Sequence, residues 1–427
     1  MTRRKLLYFA IGFFIFAIIF AFVFQILKNK KGDSSGGLIS SVFENIFPFK
    51  SIDQNTSEGD FLEDITVGEI SSEEGISERP TLLKITEGPV SGATLFDATR
   101  EKIVYQDTAS GSVAVTESFV GRFIRFAEKS SGHIYEVSFE DFTKTKITGT
   151  TIPGTEEVLF DKTGSFAVFR YFDETEGEIK TFGGQIPTSS AQIGRVIGEY
   201  FDDNISTLSF SPEEARVVYA KEDGVYTNVF LSDFNGNNKR QIFSSPFSEW
   251  LLNWSNKETV ILTTKPSAYY GGFVYSIDTK TSSLEKITGG ATGLTFNISN
   301  VLFGFLGTTS ENSMSLYSFN KETSGVTNLG IGTLPEKCKI HDSSVSYCFV
   351  PNFIPSGVYP DDWYKGKVSF NDSLWRVDLN NRVVNKVTDV SQVAGYSIDG
   401  MSPVVSLDNE DLLFINKKDL SLWLYDL

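Results

Sequence analysis

The sequence predicts an all-β fold, a β-propeller of seven blades, because one short polar strand pattern returns along the chain. Its copies end in Lys-Ile-Thr or a close variant and lie at 83–86, 145–148, 285–288 and 386–388. Each later copy follows a turn and a strand with an aromatic and apolar core, such as the strand at 374–379. Recurrence at about the length of one blade is typical of propellers.

The two ends of the chain supply complementary parts of one blade. The last unit stops at 422–427, a third strand with no fourth strand after it, while the copy at 82–86 has no blade before it. An unpaired third strand would expose a row of backbone N–H and C=O groups. We therefore expect 82–86 to pair with 422–427 and close the ring.

The blade count follows from the closing strands, which lie near residues 86, 148, 243, 288, 329 and 388. The interval between 148 and 243 is long enough for two units, which predicts seven blades, with six as the alternative. The stretch 87–121 is too long for one strand pair, and the sequence alone does not assign all of it.

Residues 6–27 form an apolar run that is broken by Gly12 and Gln25. At ~1.5 Å per residue the run is roughly 33 Å long, enough to cross a bilayer. A cleaved signal peptide is the alternative, but its apolar region is shorter and ends at small residues. The sequence therefore predicts a transmembrane helix at 6–27 that follows a cytoplasmic tail at 1–5.

Residues 32–80 are rich in Ser, Gly and acidic residues, with eleven acids against two bases. This composition predicts a flexible linker with an end-to-end distance of about 40 Å. Within it, six apolar residues follow helical spacing and suggest contact with the membrane interface or a partner helix, or a merely apolar stretch of linker: Leu38, Ile39, Val42, Phe43, Ile46 and Phe47.

The cysteines indicate the compartment. The chain has two, Cys338 and Cys348, inside one predicted hairpin. A disulfide between adjacent strands would place the propeller domain, 82–427, in an oxidising setting outside the membrane. Two free thiols or a metal pair are the alternatives. Positive charges flank 6–27 almost equally, so charge alone does not orient the helix.

One unit carries a family resemblance. Phe-Ser-Pro at 210–212, an apolar strand at 217–219, Asp-Phe-Asn-Gly at 233–236 and Arg-Gln-Ile at 240–242 resemble the repeat of TolB-like propellers. The whole layout is similar to uncharacterised membrane-anchored propellers of candidate-phyla bacteria. The resemblance implies a shape and a location, and it implies no particular ligand.

The sequence predicts no catalytic residues, no metal site and no cofactor. His133 and His341 are its only histidines, and each is expected to serve packing or a turn. No zinc-protease motif or phosphate loop is present in the sequence. The segment 233–236 lacks the Gly and Glu of a calcium loop and is expected to form a turn.

The strongest candidate for binding is the insertion that follows the cysteine hairpin. It carries aromatic and charged residues close together, and such residues on a loop are typical of binding surfaces: Tyr359, Asp361, Asp362, Trp363, Tyr364 and Lys365. The alternative is a lid over one end of the ring, with Trp363 as its stopper.

These observations favour a binding or scaffold module of the cell envelope, held at the membrane by a single span. The expected partner is a protein or an envelope polymer. A net charge of −16 disfavours nucleic acid. The alternatives are a carbohydrate-active propeller with paired carboxylates at its central channel, or a structural subunit of an envelope complex.

Overall fold

The computed structural model describes residues 81–108, 111–187, 193–298, 303–310, 312–341 and 345–427. The predicted tail at 1–5, the transmembrane helix at 6–27 and the linker at 32–80 lie outside this part of the chain. Within it, no helix combines the length and the apolar character that a membrane span requires.

The described residues form seven four-stranded antiparallel sheets, the blades of a β-propeller. Blade 1 contains β2 (Val90–Thr108), β3 (Gly111–Glu128), β4 (Ile134–Ser138) and β5 (Lys144–Lys146). Blade 2 contains β6 (Thr155–Phe160), β7 (Phe166–Asp173), β8 (Glu178–Gln185) and β9 (Ile197–Tyr200). Blade 3 contains β10 (Ile205–Phe210), β11 (Arg216–Glu222), β12 (Thr227–Asp233) and β13 (Arg240–Ser245).

The remaining blades repeat this order. Blade 4 contains β14 (Trp250–Asn256), β15 (Thr259–Thr264), β16 (Gly271–Asp278) and β17 (Leu284–Thr292). Blade 5 contains β18 (Thr295–Ile298), β19 (Phe303–Ser310), β20 (Ser313–Asn320) and β21 (Val326–Asn328). Blade 6 contains β22 (Cys338–Ile340), β23 (Val345–Pro351), β24 (Asp372–Asp378) and β25 (Val383–Thr388). Blade 7 contains β26 (Gly400–Val405), β27 (Asp411–Asn416), β28 (Leu422–Asp426) and β1 (Leu82–Lys84).

The blades bury both of their faces, because alternate residues of a strand point to opposite neighbours. In β11, Val218 packs in a cluster with Trp250 of blade 4, whereas Tyr219 packs in a cluster with Val168 of blade 2. All four side chains are nearly or fully buried. The apolar run in this strand therefore serves two interfaces at once, which stacks the blades around the ring.

The predicted strand closure is confirmed. β1 pairs with β28 in antiparallel register, with Leu82 opposite Tyr425 and Leu83 opposite Leu424. The two leucines serve different clusters, since Leu82 packs between blades 6 and 7 and Leu83 packs between blades 7 and 1. β1 thus supplies the fourth strand of blade 7, and the last three strands of the chain supply the other three.

The prediction of a turn at 233–236 is also confirmed. Gly236 N–H donates to the carbonyl of Asp233 at 2.9 Å between β12 and β13. Gly236 has φ of 81°, a left-handed conformation that glycine adopts without steric cost.

The predicted disulfide joins Cys338 of β22 to Cys348 of β23. The two residues are directly opposite in the strand pair, and both side chains are buried. The disulfide that the hairpin spacing predicted is therefore confirmed.

The stretch 87–121, which the sequence left unassigned, is most of a long hairpin. β3 pairs with β4 only from Phe123 to Ala127, yet β2 and β3 continue to pair beyond the blade. The twelve pairs from Asp97↔Arg122 to Thr108↔Gly111 form a two-stranded ribbon. At ~3.3 Å per residue the ribbon is roughly 40 Å long.

The antiparallel order of each blade defines two ends of the ring. The ribbon lies at the end where the first strand of each blade turns into the second, which we name the ribbon end. Arg122, at the base of the ribbon, contacts Asp408 and Asp411 of the corresponding turn in blade 7. Thr81 accepts a hydrogen bond from Asp426 N–H, so β1 also begins at the ribbon end. The opposite end, which carries the predicted binding insertion, is named the cap end.

Candidate functional site

The insertion at the cap end folds back on blade 6 between β23 and β24. Its one helical turn is α1 (Asp361–Tyr364). Asp362 stabilises the approach to this turn, because its carboxylate accepts from Val358 N–H at 2.9 Å while its own N–H donates to the Val358 carbonyl at 2.8 Å. The hydrogen bond from Val358 lowers the pKa of Asp362.

Two of the six predicted binding residues are buried in the propeller. Tyr359 is 1% exposed and Trp363 is 4% exposed, and both belong to one apolar cluster with Phe370, Met314 and Leu334. The Tyr359 hydroxyl donates to the Pro355 carbonyl at 2.6 Å. These contacts support the alternative of a lid for Tyr359 and Trp363.

Trp363 covers a buried cluster of charges. Its indole N–H donates to Asp399 Oδ2 at 3.0 Å. Lys337 Nζ lies 2.8 Å from Asp372 Oδ2 and also contacts Asp399 Oδ1, and the side chains of all three charged residues have no exposed surface. Lys337 precedes β22, Asp372 begins β24 and Asp399 precedes β26, so the cluster joins blades 6 and 7.

The two carboxylates of the cluster differ in proton affinity. Burial raises the pKa of Asp372 to about 6, although Lys337 opposes the rise. Burial has the same direction at Asp399, but Lys337 and hydrogen bonds from Phe370 N–H and Trp363 outweigh it and lower that pKa. Asp372 Oδ1 has no hydrogen-bond partner among the described residues. For Lys337, burial favours the neutral amine, but the two carboxylates outweigh it and raise the pKa.

The other four predicted binding residues lie nearer the surface. Asp361 accepts from Ala268 N–H at 2.8 Å and so fixes α1 to a turn of blade 4. The Tyr364 hydroxyl donates to Glu336, while 36% of Tyr364 remains exposed. Lys365 is exposed, 3.8 Å from Asp361. Binding of a partner by Tyr364 and Lys365 stays a prediction.

Neither histidine lies in the buried cluster. His133 Nε2 is 2.9 Å from Thr151 Oγ1, and burial together with Lys146 lowers the pKa of His133. His341 N–H donates to the Val345 carbonyl beside the turn of the cysteine hairpin. The part of the chain that the structure describes holds no group of three or more His, Cys, Asp or Glu residues arranged to bind a metal ion.

An open pocket of about 580 Å³ lies beside the insertion at the cap end. It is formed by the start and end of the insertion, by α2 (Val390–Ala394) and by the loop that follows α2. Its lining includes the aromatic rings of Phe353 and Tyr396 and the polar side chains of Asn352, Asn371, Asp389 and Gln392. Sequence reasoning missed this pocket, because its residues come from two segments that no motif connects.

The ribbon is the second surface of interest. Apolar side chains on it are exposed to an unusual degree, with Ile103 at 67%, Tyr105 at 74% and Val120 at 76%. Its base is fixed to blade 1, since Arg100 pairs with Glu136 at 3.1 Å and Lys102 pairs with Glu140 at 3.0 Å. Among the described residues, 99–106 and 113–120 pair only with each other as strands. Both long edges of the ribbon therefore present backbone groups to solvent.

Comparison with known proteins finds no matching family model and no matching curated protein. Similar solved structures include the β-propeller domain of the Trilobed protease from Pyrococcus furiosus, with 13% identity, a TM-score of 0.46 and coverage of 72% of this chain and 91% of that one. TolB from Acinetobacter baumannii has 11% identity, a TM-score of 0.41 and coverage of 78% and 80%. An oligogalacturonate lyase has 10% identity, a TM-score of 0.46 and coverage of 78% and 98%. At this level of identity the likeness concerns the propeller fold alone.

Proposed function

We propose that this protein is a membrane-tethered, extracytoplasmic propeller that binds a partner protein as a scaffold module of the cell envelope. The ribbon is the observation that carries the proposal. It extends a pair of unpaired strand edges beyond the closed ring, and it displays apolar side chains on both faces. Such edges attract an additional strand.

The chemistry of the ribbon favours an extended polypeptide as its occupant. Backbone N–H and C=O groups along an edge match the backbone of another strand, whereas a lipid or a polysaccharide cannot continue the ladder. Residues 113–120 contain one charged side chain, Glu117, and three valines. This segment has high strand propensity and little electrostatic repulsion against a neutral partner strand.

The membrane location depends on residues 6–27 and the linker at 32–80, together with the resemblance to anchored propellers. The Cys338–Cys348 disulfide supports the extracytoplasmic placement. The location is tested by alkaline washing of native membranes. The full-length chain should stay in the pellet, and a variant without 6–27 should be released. Alkylation without reductant should find Cys338 and Cys348 oxidised, and free thiols would argue against this side of the membrane.

The enzyme alternative required paired carboxylates open to substrate. Asp372 and Asp399 form such a pair in composition, but both bind Lys337 and lie beneath Trp363. This pair therefore favours a structural role. A role as a structural subunit remains compatible with the ribbon, because a scaffold and a subunit would both dock through a strand edge.

Strand addition is tested by site-specific photo-crosslinking of the full-length chain in native membranes. A photo-reactive residue is placed at Val113 or at Val115, which lie two residues apart on one face of β3. The matched control is Val225, which is 71% exposed in the turn between β11 and β12 at the cap end.

The proposal expects polypeptide adducts from 113 and 115, and weak or no adducts from 225. The crosslinked sites should fall two residues apart along the partner chain, since paired strands advance together. Adducts of lipid or polysaccharide, scattered sites on the partner, or equal yields from position 225 would each contradict strand addition.

A further inference from the structure

We propose that the pocket beside the insertion binds a neutral, polyhydroxylated ligand, a glycan chain. The pocket is at the cap end, away from the ribbon, so this inference adds a second binding site and does not depend on the ribbon's partner. Three features carry it: fixed amide donors, a single charged lining residue and two exposed aromatic rings.

The amide of Asn352 is held in one orientation. Its Oδ1 accepts from the Ser373 hydroxyl at 2.5 Å, and its Nδ2 donates to Asp389 Oδ2 at 2.9 Å. One N–H of Asn352 is left for a ligand. Its position is set before the ligand arrives, which lowers the entropic cost of binding.

Hydrogen bonds also hold the side-chain amide of Asn371 in one orientation. Its Oδ1 accepts from Lys418 Nζ at 3.1 Å and from the Ser397 hydroxyl. Its Nδ2 donates no hydrogen bond to the described residues, so two N–H groups remain available. The Gln392 side chain also lines the pocket, which gives a third amide group beside the carboxylate of Asp389.

This set of groups matches sugar hydroxyls, which both donate and accept hydrogen bonds. The amide N–H groups would donate to hydroxyl oxygens, and the Asp389 carboxylate would accept from a hydroxyl hydrogen. Asp389 is the only charged residue in the lining, and no lysine or arginine lines the pocket. Just outside the lining, Lys386 Nζ lies 3.6 Å from Asp389 Oδ2, and Lys418 Nζ donates to Asn371 Oδ1. The charges at the pocket therefore compensate one another, which favours a neutral ligand over an ion.

The aromatic rings supply the apolar part of the site. Phe353 is 74% exposed and Tyr396 is 38% exposed, and both line the pocket. The faces of sugar rings carry C–H groups, which pack on aromatic faces. A pocket of about 580 Å³ that is open to solvent has room for several sugar residues of a longer chain.

Isothermal titration calorimetry on the purified full-length chain tests the inference. The neutral probes are cellohexaose, maltohexaose and chitohexaose. Trigalacturonate serves as an anionic probe and hexaproline as a peptide probe. Any detergent used must lack a sugar headgroup, because such a headgroup would compete for the pocket.

We expect at least one neutral oligosaccharide to bind. Phe353→Ala should weaken that binding about tenfold, and Asn371→Ala about fivefold. Phe247→Ala is the matched control, since Phe247 is 69% exposed in a loop between blades 3 and 4 and does not line the pocket. It should bind like the parent chain.

Three results would overturn the inference. They are the absence of binding by every neutral probe at about 5 mM, binding of trigalacturonate or hexaproline alone, and equal effects of Phe353→Ala and Phe247→Ala. None of them bears on crosslinking through the ribbon, so the glycan site and the strand-addition site fail or stand separately.

Discussion

Lys337 and Asp372 form an ion pair, 2.8 Å from Nζ to Oδ2, in which neither side chain has any exposed surface. Asp399 completes the cluster from the start of blade 7, and Trp363 of the insertion covers it. The cluster therefore connects two blades and fixes the insertion to the ring. The free energy that this cluster contributes to folding therefore determines how firmly the insertion and the two blades are held together.

Removal of the buried cation should be strongly destabilising. Lys337→Met leaves Asp372 and Asp399 buried without their counter-charge, and the expected loss is about 3–5 kcal/mol in the free energy of unfolding. Lys265→Met is the control, because Lys265 pairs with Glu249 at an exposed site. That change should cost less than about 1 kcal/mol. Equal losses in urea denaturation would contradict the account of the cluster.

The cluster also predicts a dependence of stability on pH. Burial raises the pKa of Asp372 to about 6 in the folded state, above its ordinary 3.8. The folded state thus binds this proton more tightly than the unfolded state. The stability that protonation of Asp372 contributes is present below about pH 4 and is lost as the pH rises through about 6.

Asp372→Asn removes this proton equilibrium. Relative to the variant, the parent should lose about 2–3 kcal/mol of unfolding free energy between pH 4 and pH 6.5, from a rise of about two pH units at 1.36 kcal/mol each. Asp399 does not interfere, because its lowered pKa places its contribution below this window. A constant difference between parent and variant across the window, in denaturation at each pH, would exclude this role for Asp372.

Trp363 should act on stability in two parts. Trp363→Phe keeps an aromatic ring over the cluster but loses the hydrogen bond to Asp399, with an expected cost of about 1–3 kcal/mol. Trp363→Ala also opens a cavity, with an expected cost of about 3–5 kcal/mol. Lys365→Ala, on the exposed side of the insertion, should change stability by less than about 0.5 kcal/mol. If Trp363→Ala left the unfolding free energy unchanged, this structural role would be wrong, and Trp363 would again be a candidate for the predicted binding surface.

Much of the fold could be predicted from the sequence because each blade repeats local signals. The closing strand at 82–86 and the disulfide of Cys338 and Cys348 followed from pairing rules that act over one hairpin or one missing strand. The ribbon could not be assigned, because a strand that leaves its sheet has the same alternation as one that stays.

The candidate sites were harder to predict. Sequence composition marked Trp363 as a binding residue, yet the side chain is buried and donates to Asp399, which lies 36 residues away in the chain. The pocket lining joins Asn352 and Tyr396, and only the folded chain brings them together. A single sequence shows residue types and their spacing, but it does not show which loops meet in the folded chain.

The distal ribbon should contribute little to stability. Replacing 103–116 by Asn-Gly would join Lys102 to Glu117, which are already opposite each other, through a two-residue turn. The exposed residues that this change removes belong to none of the buried apolar clusters. The unfolding free energy should therefore change by less than about 1 kcal/mol. A large loss in thermal or urea denaturation would mean that the ribbon packs on the ring instead of projecting from it.

The positions of the ribbon and the pocket both depend on β1 being the fourth strand of blade 7. Leu82 and Tyr425 are directly opposite, in a pair that lies between hydrogen-bonded pairs. Residues in such a pair have Cα atoms ~4.5 Å apart, which is within reach of a disulfide. Leu412, on the far side of Tyr425, lies two strand spacings, or roughly 9.5 Å, from Leu82.

The most direct measurement is therefore peptide mass spectrometry of two double variants after mild oxidation. The closed ring predicts a new disulfide in Leu82→Cys with Tyr425→Cys, and none in Leu82→Cys with Leu412→Cys, while Cys338 and Cys348 stay paired in both. Free thiols at 82 and 425, or a disulfide between 82 and 412, would contradict the closure on which the account rests.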